Sequence, residues 1–150
     1  MREILFRGKT DEEKWEYGVP ITVVHNCYRK TVEITKSIEI ETEFDFSRDI
    51  DHEEVIPETI GQYTGLTDKN GTKIFEGDIV KAHITQNAYT HTKKYEGVYE
   101  VKYHDKNCYF YLAKQGNNLL FDCNWEYCVS KIEVIGNIHD NPELLKGGAT

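Results

Sequence analysis

Four cysteines and six histidines are the side chains here best suited to metal binding or nucleophilic chemistry, and their spacing argues against both. Zinc knuckles carry Cys-x-x-Cys pairs, because two thiolates at that spacing reach one tetrahedral ion. Cys123 and Cys128 stand further apart, and no second pair follows them. His25 with Cys27, and His104 with Cys108, complete a site only if the fold brings further ligands to them. The N-terminal apolar run is far too short for an export signal, so the expectation is reduced thiols, mostly buried as small apolar side chains. The other histidines, His52, His83, His91 and His139, are scattered. All six read as surface or hydrogen-bonded residues rather than general bases.

Other chemistry fares no better. Asp45, Asp49, Asp51, Glu53 and Glu54 could gather a divalent cation, but their spacing misses the calcium-loop pattern and the run reads as a solvated acidic segment. Gly61 and Gly65 lack the Lys-Ser/Thr ending of a phosphate-cradling loop. Ser37, Ser47 and Ser130 are the only serines, and none stands in a nucleophile elbow. No catalytic residue, cofactor-binding residue or metal ligand is assigned. No cofactor is expected, and the chain is not expected to be an enzyme.

Whatever the chain does, strands must position it. Its 150 residues suit one domain or two small subdomains sharing a core, with no disulfide or metal needed. Ten tyrosines, six phenylalanines and two tryptophans fit half-buried sheet faces. The net charge of −8 is uneven: residues 1–58 carry 15 acidic and 8 basic side chains, giving −7, and residues 59–150 carry 11 and 10, giving −1. No Lys/Arg cluster exceeds a pair, so direct nucleic-acid binding is not expected. No stretch is apolar enough to span a membrane, and the expected location is the cytoplasm.

Residues 4–9 and 14–22 read as a hairpin around the polar turn 10–13, and residues 24–28 extend it or begin a third strand. Residues 32–46 alternate most clearly, with Val32, Ile34, Ile38, Ile40, Phe44 and Phe46 on one face. Glu33, Thr35, Ser37, Glu39, Glu41, Glu43 and Asp45 form the other, which predicts one buried and one solvated face, with a bend near Lys36 or Thr42. Residues 47–58 read as an acidic linker. Beyond it, Gly61, Gly65, Gly71 and Gly77 punctuate short strands at 73–75, 79–85, 95–104, 108–112, 119–121 and 131–135, with a polar loop over 86–94. Such spacing suggests a small barrel or sandwich. Asn141, Pro142 and Glu143 predict one helical turn, with Asn141 as its cap and Gly147-Gly148 as its end.

The run from Ile56 through Gly65-Leu66-Thr67-Asp68-Lys69-Asn70-Gly71 to Phe75-Glu76-Gly77-Asp78-Ile79-Val80 resembles the signature of the YopX family. The ending Glu133 to Leu145 and the opening Arg2 to Gly8 are similar to that family as well, while residues 27–55 and 82–131 carry no motif. The resemblance implies a phage- or prophage-encoded protein whose C-terminal half is an SH3-like small barrel, and it implies no reaction, cofactor or catalytic residue. The signature residues themselves read as structural: Gly65, Gly71 and Gly77 at turns, Asp68 and Asp78 bonding turn amides, and Tyr63, Leu66, Phe75, Ile79 and Val80 packing inward.

The expected fold is mainly β, with α+β as the alternative class. A β-rich N-terminal half, 1–58, precedes a Gly-punctuated small-barrel half, 59–150, the two forming separate subdomains or one integrated domain. The expected function is a non-catalytic interaction protein, a homo-oligomer with a possible host or phage partner. Two alternatives stand beside it. One is an acidic decoy for a nucleic-acid-binding protein, although same-face carboxylates on a strand recur only about every 6.6–6.8 Å against one DNA charge per about 1.7 Å. The other is a small enzyme or ligand binder whose site is assembled from distant residues, His104, Asp105 or the cysteines among them.

Overall fold

The first strands fall close to where alternation puts them. β1 (Phe6–Lys9) pairs antiparallel with β2 (Trp15–His25), and residues 10–13 make the turn, with Glu13 at a left-handed φ of 63°. The computed structural model describes residues 3–25, 29–35, 52–87, 92–114, 117–121 and 131–146, with backbone alone for 23–25, 29, 85–87, 92–95 and 117–121. The chain is mainly β and divides into two units, Met1–Gln62 and Tyr63–Thr150.

In the first unit, β3 (Arg29–Thr35) and β4 (His52–Val55) extend the antiparallel sheet in the order β4-β3-β2-β1. Gly61 and Gln62, which open β5 (Gly61–Thr67), pair with the other side of β1. The sheet curls, so that the chain leaving β4 returns to the end of β1: the Ile56 amide donates to the Lys9 carbonyl at 2.8 Å. The Lys9 amide in turn donates to Thr59 Oγ1 at 2.8 Å. The acidic linker expected over 47–58 is therefore corrected, because β4 and a 3-10 turn at Pro57–Thr59 occupy its second half. Val55 supplies a buried anchor for the strand, and Pro57 presets the φ of the turn.

The strict two-face reading of residues 32–46 is corrected where it can be seen. Ile34 is fully buried as expected, but Thr31, Glu33 and Thr35 on the opposite face are buried too. β3 lies between two strands, Thr31 and Thr35 donate their hydroxyls to Glu33 Oε1 and the Val19 carbonyl, and Glu33 Oε2 faces His52, so alternation here separates apolar from polar without separating inside from outside. Residues 36–46 lie outside the described residues. β2 and β3 approach so closely at Gly18 that a Cβ there would run into the Thr35 carbonyl oxygen.

In the second unit, β6 (Lys73–Phe75) pairs with the later part of β5 across a register shift between Tyr63 and Thr67. Gly65, at a φ of 87°, supplies the irregular residue there, which is why a segment read as turn punctuation is a strand. β7 (Asp78–Asn87), β8 (Thr92–His104), β9 (Tyr109–Lys114) and β10 (Asn117–Phe121) form an antiparallel meander, and β11 (Ile132–Asn137) lies beside β7. The polar loop expected over 86–94 is shorter than its composition suggests, since Gln86 pairs with Lys93 and Asn87 with Thr92. Backbone ladders close equally well on polar residues. Among the described residues the strand order has two ends and no closed barrel.

The apolar core of this unit is built from Ile74, Val80, Ala82, Ile84, Tyr99, Val101, Phe110, Leu112 and Ile132. These positions alternate along β7, β8 and β9, so each strand gives one face to a common interior. Each large aliphatic buried there contributes about 1.5–3 kcal/mol. The terminal turn at Pro142–Leu145 is 3-10, and Asn141 makes no side-chain cap; its amide oxygen packs over Gly136 instead.

Candidate functional site

The signature residues form a clasp rather than a cleft. Gly71 and Gly77, at φ of 84° and 79°, turn the chain, and Asp68 is buried between the Gly71 turn and β11. Asp68 Oδ1 accepts the amides of Asn70 (2.8 Å) and Thr72 (2.9 Å), while Oδ2 accepts the Val134 amide at 3.0 Å. The Lys69 amide donates to the Ile132 carbonyl at 3.1 Å, and Lys69 Nζ meets Glu133 at 2.7 Å. The turn thus occupies the outer edge of β11, which would otherwise offer unpaired backbone groups to another strand. Burial alone would raise the Asp68 carboxyl, but the amides of Val134, Thr72 and Asn70 outweigh it and hold the group below the ordinary aspartate value. Glu133 is held low by Lys69.

Asp78 plays the same part at the next turn, accepting the Phe75 amide at 2.7 Å. Asn137 Oδ1 accepts the amides of His139 and Asp140, both at 2.9 Å. Tyr63, Phe75, Ile79 and Val80 are buried, and Leu66 packs against the core. The signature therefore does what its residue types suggest: it fixes turns and fills the interior.

The first unit has a different kind of interior. Glu33 accepts the Thr31 hydroxyl at 2.9 Å and lies 3.1 Å from His52 Nε2, whose ring is half exposed. Arg7, also buried, lies with its guanidinium 4.6 Å from the centre of the Trp15 ring. At the end of the β1–β2 hairpin, a cleft of about 290 Å³ is lined by Thr10, Asp11, Glu12, Lys14, Glu16, Glu53 and Glu54. Lys14 and Glu12 pair at 2.6 Å, which lowers the carboxyl of one and raises the ammonium of the other. The large apolar side chains exposed among the described residues are Ile4 (68%), Tyr17 (47%) and Val19 (41%), the last two on one face of β2.

On the outward face of β8 and β9, His104 stacks on Tyr109 with ring centres 5.3 Å apart, and Tyr111 meets both rings edge-on at 6.2 Å. Cys108, in the turn between them, is a free, exposed thiol at a φ of 54°, which corrects the expectation of buried cysteines for the one described. The turn places it where no core can cover it. His104, Asp105 and Cys108 are near one another in the hairpin, but none borders the described cleft. Of the acidic run, Glu53 and Glu54 reach that cleft, and Asp45, Asp49 and Asp51 lie outside the described residues, as do Cys27, Cys123 and Cys128. Sequence reasoning missed Asp11, Glu12 and Glu16 as their neighbours, because only the curl of the sheet joins the first turn to β4. His83 lies 3.4 Å from Glu96 on the surface. Among the described residues, no three His, Cys, Asp or Glu side chains are arranged to hold a metal ion, and no helix is long and apolar enough to cross a membrane.

A family model described as YopX protein matches residues 5–146, nearly the whole chain. The chain is also similar to the crystal structure of protein EF1440 from Enterococcus faecalis, with 28% identity and a TM-score of 0.53 over 97% of this chain and 99% of that one. No curated protein matches it.

Proposed function

This chain belongs to the YopX family, and we propose that it is a non-catalytic interaction protein, phage- or prophage-encoded and cytoplasmic, that associates with further copies of itself. The observation that carries this reading is the exposed apolar face of β2, where Tyr17 and Val19 follow the half-buried Trp15 that packs on the buried Arg7. Exposed apolar side chains gathered on a sheet face mark an interaction surface more often than scattered ones do. The signature supports a framework role, because its polar groups are spent on turn amides. We take the second unit as an SH3-like arrangement, a reading that rests on the family resemblance and on its antiparallel meander ending in a 3-10 turn. Light scattering across a concentration series tests the association. The wild type should exceed the monomer mass and Val19→Glu should lower it; a wild-type monomer at every concentration would remove the reading.

A second reading, the acidic decoy, is favoured by the cleft whose lining sets five carboxylates around Lys14. It predicts capture of a basic, nucleic-acid-binding partner that is lost in a Glu53→Lys/Glu54→Lys variant. Unchanged capture would end it.

A further inference from the structure

We propose that Asn70 is a site of spontaneous deamidation whose rate is set by the clasp on β11. Asn70 is the one asparagine of nine that glycine follows. In this reaction the backbone nitrogen of the next residue attacks the side-chain carbonyl carbon. A new C–N bond closes a five-membered imide, the bond to the side-chain nitrogen breaks, and ammonia leaves with the proton of the attacking amide. Water then opens the imide at either carbonyl, giving aspartate or isoaspartate, so one water is consumed for each ammonia released. Glycine hinders the attack least, because no side chain overhangs its amide. Both residues are exposed, and nothing stands within 4 Å of where a Gly71 Cβ would be.

Two contacts hold the reacting atoms back. The Gly71 amide donates to the Asp68 carbonyl at 3.0 Å, which retains the proton that must leave before the nitrogen can attack. The Asn70 backbone amide donates to Asp68 Oδ1 at 2.8 Å, which fixes the main chain on the other side of the reacting pair. Asp68 is itself fixed by the Val134 amide, and Lys69, next to Asn70, by the Ile132 carbonyl and Glu133, so the bonds that pin the β11 edge also restrain the Asn-Gly pair. The product would undo that restraint. Aspartate at position 70 adds a negative charge to a turn that already holds Asp68 and meets Glu133 through Lys69, and isoaspartate adds a backbone carbon to a turn that Asp68 holds in one geometry.

The test incubates the folded wild type, Glu133→Ala, and the wild type in urea in mildly alkaline buffer, and follows the amide-to-acid mass gain by peptide mapping. Glu133 is partly exposed, so its truncation leaves the core intact. The gain should appear at Asn70 before any other asparagine, slowest in the folded wild type. Glu133→Ala, which frees Lys69 beside the reacting pair, should run about threefold faster, the factor a partly exposed ion pair is worth, and the urea sample fastest. Equal rates in wild type and Glu133→Ala overturn the gating, and a urea sample in which another asparagine reacts first overturns the site.

Discussion

Apart from Thr64, whose hydroxyl bonds the Ile74 carbonyl, the second unit buries apolar side chains in its middle and polar ones at its turns, whereas the first buries polar side chains in mid-strand. Asp68, Asp78 and Asn137 each turn a buried polar atom toward backbone amides, and between them lies an uninterrupted aliphatic and aromatic core. Thr31, Glu33 and Thr35 occupy the centre of a sheet face in the first unit, with Ile34 and Val55 on the other face. A turn carboxylate that accepts several amides recovers its desolvation cost locally. A mid-strand carboxylate depends on a few side chains held in register, which favours a unique pairing over high stability. The difference suggests a division of labour: a robust second unit that the signature builds, and a first unit that presents surfaces.

Gly18 is the tightest point between β2 and β3. A Cβ there meets the Thr35 carbonyl, so Gly18→Ala should part β2 from β3 and cost more than about 3 kcal/mol in chemical unfolding. Leu112→Ala, in the second core, should cost about 3 kcal/mol by the same measurement, through lost burial and a cavity. A smaller loss than for an exposed residue at either position would contradict the packing described.

Asp68→Ala comes next, at about 2 kcal/mol, because it strands amides on both the turn and β11. Its pH dependence sharpens the point. The folded carboxyl is held below its ordinary value, so its contribution is present above the unfolded value of about 3.9 and is lost as pH falls through the folded one. The wild type should therefore lose stability more steeply than Asp68→Ala as acid is added below about pH 4. Parallel curves would show that the carboxylate is not the clasp.

Much of the second unit was legible in the sequence. Asn70-Gly71 marks a tight turn, Lys73–Phe75 is the strand expected, and the inward residues of the signature are buried or, at Leu66, packed against the core. What could not be read was reach: Asp68 bonds an amide 66 positions away, and no spacing rule connects them. Gly65 misled because a glycine that bends a strand looks the same in sequence as one that ends it. In the first unit, alternation located β3 but not the burial of Glu33, which depends on neighbours on both sides. The cleft was legible only at Glu53 and Glu54, since the curl of the sheet brings in the first turn.

Hydrogen exchange on the intact chain tests the division of labour most directly. The amides of β7, β8 and β9 should exchange only through global unfolding, while those shared by β3 and β4 open at a lower free energy. Protection of β3 and β4 equal to or greater than that of β7 to β9 would contradict the account.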